Sequence, residues 1–317
     1  MTPSGLQNPF ETSTLMAATT FMVSVGSFGF ISNLLAMFVI YRNPMLHNTF
    51  GLLCFSHLVS NVGILFCFST WPVAMILKQD NDLAHSIVGK RFGQFTIIFW
   101  WSCILAHVAI SVNRYVSIVF PIKSYIWFTV PNTRYAIICI WIIGFVVTIP
   151  YFWDETCYVA FNAHTFQWTY AEYPCGQFLS LFDFIGGVIF CSFAFLIDML
   201  TLIRLRVANN TLGVSAQTAI EMTKRRKNEI RLFAQAFTQC IVFCITLLSF
   251  HIFTLLSDNL WWQFAMVTMI WITAHSLDGL IVVLFHFRLS LCKNKRLTSS
   301  IMNSSTSRAV TTIIGKY

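Results

Sequence analysis

Arg114 stands near the end of a long apolar run, between Asn113 and Tyr115, with Pro121 and Tyr125 following. Its guanidinium is permanently charged and presents five N–H donors. At a helix centre in lipid such a group costs about 2.5 kcal/mol or more, and less at the interface. Two uses fit it: an anchor that snorkels among headgroups, or a donor that grips the carbonyls or acids of a partner. Three acids also fall within apolar runs: Asp183, Asp198 and Asp278. An acid at such a depth marks a functional site by default. Asp183, near one end of its run, is either a ligand contact or a wet interfacial acid. Asp198, near the other end, reads as structural. Trp71, Trp100, Trp101, Trp261 and Trp262 lie toward the same side as Asp183. They fit an interfacial aromatic belt, although Trp71 and the deeper Trp100 equally fit the wall of a ligand pocket.

Other chemistries find no support. The ten cysteines include no CxxC pair, so zinc-ribbon and thioredoxin readings fail. Cys240 and Cys244 share a helix face, but a metal would need further ligands, and buried packing explains them. No nucleophile elbow or phosphate loop occurs. The expectation is therefore no catalytic residue, no metal, no cofactor and no enzyme. Cys157 and Cys175 differ from the rest because they flank a polar segment, Tyr158 to Pro174. Cys292 follows the last apolar run, where a thiol is either free or palmitoylated.

The elements that position these residues are set by composition. Of 317 residues, 56% are hydrophobic and only 10% charged, against about 25% charged in a soluble domain. Too little charge is available to cover a water-facing surface. Seven apolar runs are long enough to span a bilayer: Leu15–Tyr41, Phe50–Leu77, Phe92–Phe120, Tyr135–Trp153, Phe178–Ile203, Leu232–Leu256 and Leu260–Phe287. Pro44, Pro121, Pro131 and Pro174 punctuate the connections, as helix boundaries require. The expected fold is an all-α membrane protein, a seven-transmembrane helix bundle. It divides into an N-terminal segment 1–14, a bundle 15–290 and a tail 291–317.

Charge orients the bundle. With connections numbered alternately, one side holds Lys78, Lys90 and Arg91, and the other holds the remaining seventeen of the 20 basic residues. Basic residues favour the cytoplasm. The N-terminus is thus expected outside and the tail in the cytoplasm. No positive n-region precedes the first run, so no cleavable signal peptide is expected. The two NxS/T sequons, at Asn209 and Asn303, fall inside and are expected to stay bare.

In this setting Asn113-Arg114-Tyr115, with Pro121 and Tyr125, resembles the Asp-Arg-Tyr box of rhodopsin-like G protein-coupled receptors. Gly29 and Asn33 resemble the Gly-Asn pair of their first helix, and Trp141 and Pro150 the Trp and Pro of their fourth. The string Gly51-Leu52-Leu53-Cys54-Phe55-Ser56-His57, followed by Asn61, resembles the nematode serpentine chemoreceptors of class X, as does Asn in place of Asp before the Arg. The resemblance runs from helix one to helix seven. It implies a chemosensory receptor in the plasma membrane of sensory neurons. Such a receptor takes a small-molecule or odorant ligand, couples to a heterotrimeric G protein and uses no nucleic acid.

Departures from the pattern set further expectations. Helices five to seven contain no Pro, and Asp278-Gly279 stands roughly where Asn-Pro would be, so rhodopsin-type activation steps do not transfer. The usual Cys before helix three is replaced by Gly89, and Cys103 is too deep. Cys157 and Cys175 are then expected to pair with each other. Asn61 and Asp278 invert the usual Asp and Asn of helices two and seven, which implies a shared polar contact with Asn33 nearby. Asn113 cannot neutralise Arg114, and Glu229, fourteen residues before Phe243, is the expected partner. Lys224-Arg225-Arg226-Lys227 serves anionic lipid or the G protein. A ligand-gated channel or transporter is the alternative function, although repeats and broken midplane helices are lacking. A retinal protein is excluded because the seventh run has no Lys.

Overall fold

The computed structural model describes residues 12–153, 155–210 and 237–285. Its long helices are α1 Thr12–Arg42, α2 Thr49–Ser69, α3 Ile87–Val119, α4 Val130–Val147 and α5 Pro174–Asn210. Then come α6, described over Phe237–His251, and α7 Leu260–Phe285. Six spans are long and apolar enough to cross a membrane, α2 counting with the short helix that continues it, and α6 is a shorter apolar helix. Glu229, the basic stretch 224–227, Cys292 and the tail lie outside the described residues.

Local chemistry explains where the helices start and stop. Asn48 opens α2 by accepting a hydrogen bond from the Gly51 N–H at 3.0 Å, a side-chain N-cap. α4 begins at Val130, before its apolar run does, because Thr129 caps it and Pro131 sits in its first turn with φ already set for helix. It ends at Val147 rather than Trp153, since a 3₁₀ turn around Pro150 follows. The second run is broken: α2 stops at Ser69, and a separate helix Trp71–Lys78 carries Pro72 in its first turn. Pro72 has no N–H to donate and cannot continue the ladder.

α2 and α3 form the middle of the bundle. Leu53, Leu58, Ile64 and Leu65 of α2 and Trp100, Cys103, Ile104 and Ala106 of α3 are buried. α4 buries only Thr133, Ile140 and Gly144. Its Ile138, Ile142, Phe145 and Val146 point outward, as do Ile31 and Phe38 of α1 and Ile189 and Leu196 of α5. An exposed belt of this kind is a solubility fault in water. Around a bundle whose backbone groups are satisfied within its helices, it is the surface that lipid requires.

At one end of the bundle a β-hairpin folds back into it. Strands β1 Val159–Asn162 and β2 Gln167–Tyr170 pair antiparallel, with Phe161 opposite Trp168. α7 carries a π-helical turn at Phe264–Met269, although it has no Pro.

Candidate functional site

Helical spacing brings four pairs of side chains to one place. His57 and Asn61 of α2, Cys103 and His107 of α3, and Gln239 and Phe243 of α6 are each four residues apart, and His275 and Asp278 of α7 are three apart. Residues at these intervals share a helix face. The carboxylate of Asp278 meets three of these side chains. Asn61 Nδ2 donates to Oδ2 at 2.6 Å, His57 Nε2 lies 2.5 Å from the same oxygen, and Gln239 Nε2 donates to Oδ1. His57 Nδ1 faces the Cys103 carbonyl at 3.1 Å, which can only accept, so this nitrogen carries a proton. Asn61 Oδ1 accepts from His275 Nδ1 at 2.8 Å and from the Cys103 thiol at 3.2 Å.

Asn61 and Asp278 are thus in contact. His57, quoted in the sequence only as part of the Gly51–His57 string, and Gln239, which the sequence did not single out, complete the shell. Their signal was present in the four-residue offsets from Asn61 and Phe243. Asn33 stands one step away: its Nδ2 donates to the carbonyls of Gly29 at 2.8 Å and His275 at 3.0 Å. It can do so because Gly279 lacks a side chain, as a Cβ there would stand 2.7 Å from Asn33 Cγ. All these polar residues are buried. Burying them without partners would be costly, and the network supplies the partners. With Asn61 and Gln239 donating to it and His57 beside it, the Asp278 carboxyl has polar neighbours and not bare hydrocarbon.

Toward the far end, Arg114 lies within the bundle. It is 5% exposed, 3.7 Å from Asp198 Oδ1 and 5.6 Å above the Phe50 ring. Ser111 donates to Asp198 Oδ2 at 3.1 Å. Asn113 ties α3 to the start of α2 by donating to Thr49 Oγ1 at 3.2 Å. Tyr115 meets Phe120 edge-on at 6.2 Å. Asp198, read from sequence as structural, is the acid that faces Arg114 among the described residues.

At the opposite end the hairpin fills the bundle. Cys157 and Cys175 are bonded, with Cα atoms 5.1 Å apart, and Ala171 N–H closes the base on the Tyr158 carbonyl at 2.9 Å. The hairpin lies directly against α3 at Gly93, where a Cβ would collide with the Val159 backbone. Phe161, Phe166 and Trp168 are buried. Phe166 adopts a left-handed conformation at φ 55°, uncommon for a bulky residue. Its carbonyl accepts from Thr268 at 2.8 Å, within the π-helical turn of α7, a distortion frequent at functional sites.

The three candidate pocket residues lie in separate surroundings. Trp100 is fully buried under the hairpin, 4.8 Å from Trp271 and 5.9 Å from Phe243. Trp71 stacks on Phe92 at 4.9 Å. Asp183 of α5 faces His251 of α6 at 3.7 Å and is buried. Burial and the Asp183 charge together push the hydroxyl of Tyr170, on β2, well above the usual tyrosine range. Cys240 donates to the Cys191 carbonyl at 3.6 Å, and no group of three metal-ligating side chains occurs among the described residues.

The family described as serpentine type 7TM GPCR chemoreceptor Srx matches residues 21–286. Serpentine receptor class X 45 of Caenorhabditis elegans is 25% identical over 278 residues, 81% of this chain and 75% of that receptor. Melanopsin-A of Gadus morhua is 23% identical over 265 residues, 81% of this chain and 44% of that protein. Melanopsin-B of Xenopus laevis is 25% identical over 123 residues, 38% of this chain and 23% of that protein. The chain therefore spans three quarters of the class X receptor and less than half of either melanopsin.

Proposed function

As the chain belongs to the Srx family of serpentine seven-helix chemoreceptors, a G protein-coupled receptor family and not an enzyme family, we propose that it binds a small external ligand at the hairpin end and activates a heterotrimeric G protein at the Arg114 end. The hairpin end faces outside, as the 17-to-3 bias of basic residues indicates. The receptor sits in the plasma membrane of sensory neurons.

The observation that carries the coupling role is the placement of Arg114. An arginine serving only as a headgroup anchor would turn outward and snorkel. Arg114 instead points into the bundle beside Asp198. Asn113, Arg114 and Tyr115 form the coupling surface, and Glu229 is a further resting partner for Arg114. Ligand binding biases the bundle toward a state in which Arg114 leaves these acids and meets backbone carbonyls of the G protein. Asn33, Asn61 and Asp278 hold α1, α2 and α7 in register meanwhile. Cys292 is proposed as a palmitoylated anchor beyond α7.

The test is a second-messenger measurement in cells expressing the chain, against an odorant panel. A ligand-dependent response that disappears without the G protein supports the reading. A ligand-gated current that persists without any G protein overturns it in favour of a channel. An epitope tag on the N-terminus should be reached on intact cells, and one at Tyr317 should not.

A further inference from the structure

We infer that the groove between β2, α5 and α6 is an ammonium site, in which Asp183 binds a small organic amine. This rests on the receptor reading above, because it takes the hairpin end as the face open to ligand. The groove has a volume of about 400 Å³ and is lined by Tyr170, Glu172, Ser180, Phe184 and His251, among others. That size suits a small molecule.

Asp183 lies behind this lining. Its neighbours Ser180 and Phe184, one helical turn before it and one residue after it, both line the groove. The residue is 3% exposed, and its Oδ1 has no hydrogen-bond partner among the described residues. Its Oδ2 is 3.7 Å from His251 Nε2, too long for a hydrogen bond, and that nitrogen has no hydrogen bond either. The Tyr170 hydroxyl stands near the Asp183 carboxylate but does not satisfy Oδ1, and a buried carboxylate oxygen left so is a standing cost. A ligand N–H would remove it. His251 belongs to both places, since it lines the groove and faces the carboxylate. It packs on the rings of Phe184 at 5.0 Å and Phe250 at 4.8 Å, so turning it aside breaks no hydrogen bond.

The charge balance selects the ligand class. Glu172 adds a second negative charge, and neither Lys nor Arg lines the groove. An acid would be repelled. A neutral alcohol could donate one hydrogen bond but brings no charge. An ammonium donates to Asp183 Oδ1 as a charge-assisted bond and lies against the faces of Tyr170 and Phe184.

The experiment measures the melting temperature of the purified full chain in lipid nanodiscs, without G protein. The probes are alkylamines and arylalkylamines, each matched with its isosteric alcohol and carboxylic acid. At a hundredfold excess over Kd the best amine should raise Tm by about 5 °C, with the alcohol giving much less and the acid nothing. Asp183→Asn should lose the amine shift. Ser180→Trp, which fills the groove and leaves Asp183 in place, should lose it as well, so the result does not depend on one variant folding. Equal shifts from amine and alcohol overturn the ammonium assignment. So does an amine shift that survives both substitutions, or the absence of any amine shift. Arg114→Ala should keep the shift while losing second-messenger output, so failure of coupling and failure of the amine site are read separately.

Discussion

The two halves of the bundle are held by different kinds of contact. Beneath the hairpin the interior is aromatic: Phe68 stacks on Trp271 at 5.6 Å, Trp168 meets Phe68 at 5.8 Å, and Phe166 meets Phe264 at 6.1 Å. The indole N–H groups of Trp100, Trp168 and Trp271 find no hydrogen-bond partner among the described residues. From His57 to Arg114 the interior is instead tied by side-chain hydrogen bonds and ion pairs converging on Asp278 and Asp198. Aromatic packing tolerates small shifts, because dispersion is spread over many weak contacts. A hydrogen-bonded pair in a low dielectric is either made or broken, and breaking it is expensive. The aromatic half is thus suited to receiving varied shapes. The polar half is suited to switching between discrete arrangements.

The largest expected effect tests the polar half at its end. Arg114→Ala should abolish signalling while surface protein, counted by antibody on intact cells, stays near the wild-type level. Normal signalling from a surface-expressed Arg114→Ala receptor would remove the residue-level support for coupling through α3.

Next in size is the core. Asp278→Ala leaves His57 without its acid and Asn61 and Gln239 without an acceptor. Removing one member of a buried charged pair typically costs about 3–5 kcal/mol, and surface expression should collapse. Asn61→Asp should also reduce expression, by placing a second acid beside Asp278. Combining Asn61→Asp with Asp278→Asn should recover part of the loss, because the acid then sits one helical turn from His57 on α2. A double variant no better than additive would mean that the two positions are uncoupled.

The aromatic half gives a smaller effect of a different kind. Replacing Cys157 and Cys175 by Ser opens a link between residues 18 apart in sequence, worth about 3 kcal/mol by chain entropy. Expression should survive, since Gly93, the Thr268 bond and the buried Phe161, Phe166 and Trp168 still dock the hairpin. Protease cleavage within 158–174 should rise. Unchanged cleavage would show that packing alone holds the hairpin.

Much of this contrast could be read from sequence, for physical reasons that differ by region. Apolar runs of bilayer length fix seven helices whatever their partners are. The exchange of Asn61 and Asp278 pointed to their contact because an acid in lipid must find a donor. Cys157 and Cys175 pointed to each other because no other partner was near. The contacts of His57 and Gln239 with Asp278 were not legible because a single polar residue on a helix does not say which face it occupies until the neighbours are placed. The hairpin was missed because strands of four residues carry too short an alternation. The π-helical turn of α7 has no proline to announce it, whereas the break after α2 had its signal in Pro72, inside the second apolar run.

The smallest expected effect separates two acids that could hold Arg114. Glu229 stands fourteen residues before Phe243 and lies outside the described residues. Asp198 is 3.7 Å from Arg114 and also accepts from Ser111. An exposed Arg–carboxylate contact is worth about 1 kcal/mol, which is about a fivefold change in the balance of two states, whereas the Arg114–Asp198 pair is buried and loses more when broken. Glu229→Ala should therefore raise basal signalling a few-fold with surface protein unchanged. Asp198→Asn should do more than that. It removes the charge facing Arg114 while an amide oxygen can still accept from Ser111, so the loss falls on the Arg114 contact and not on the α3–α5 seam. If both acids restrain Arg114, the double variant should exceed either single one in basal output. If Glu229→Ala leaves basal output unchanged and Asp198→Asn raises it, Asp198 alone restrains Arg114, and the resting clamp joins α3 to α5 instead of α6.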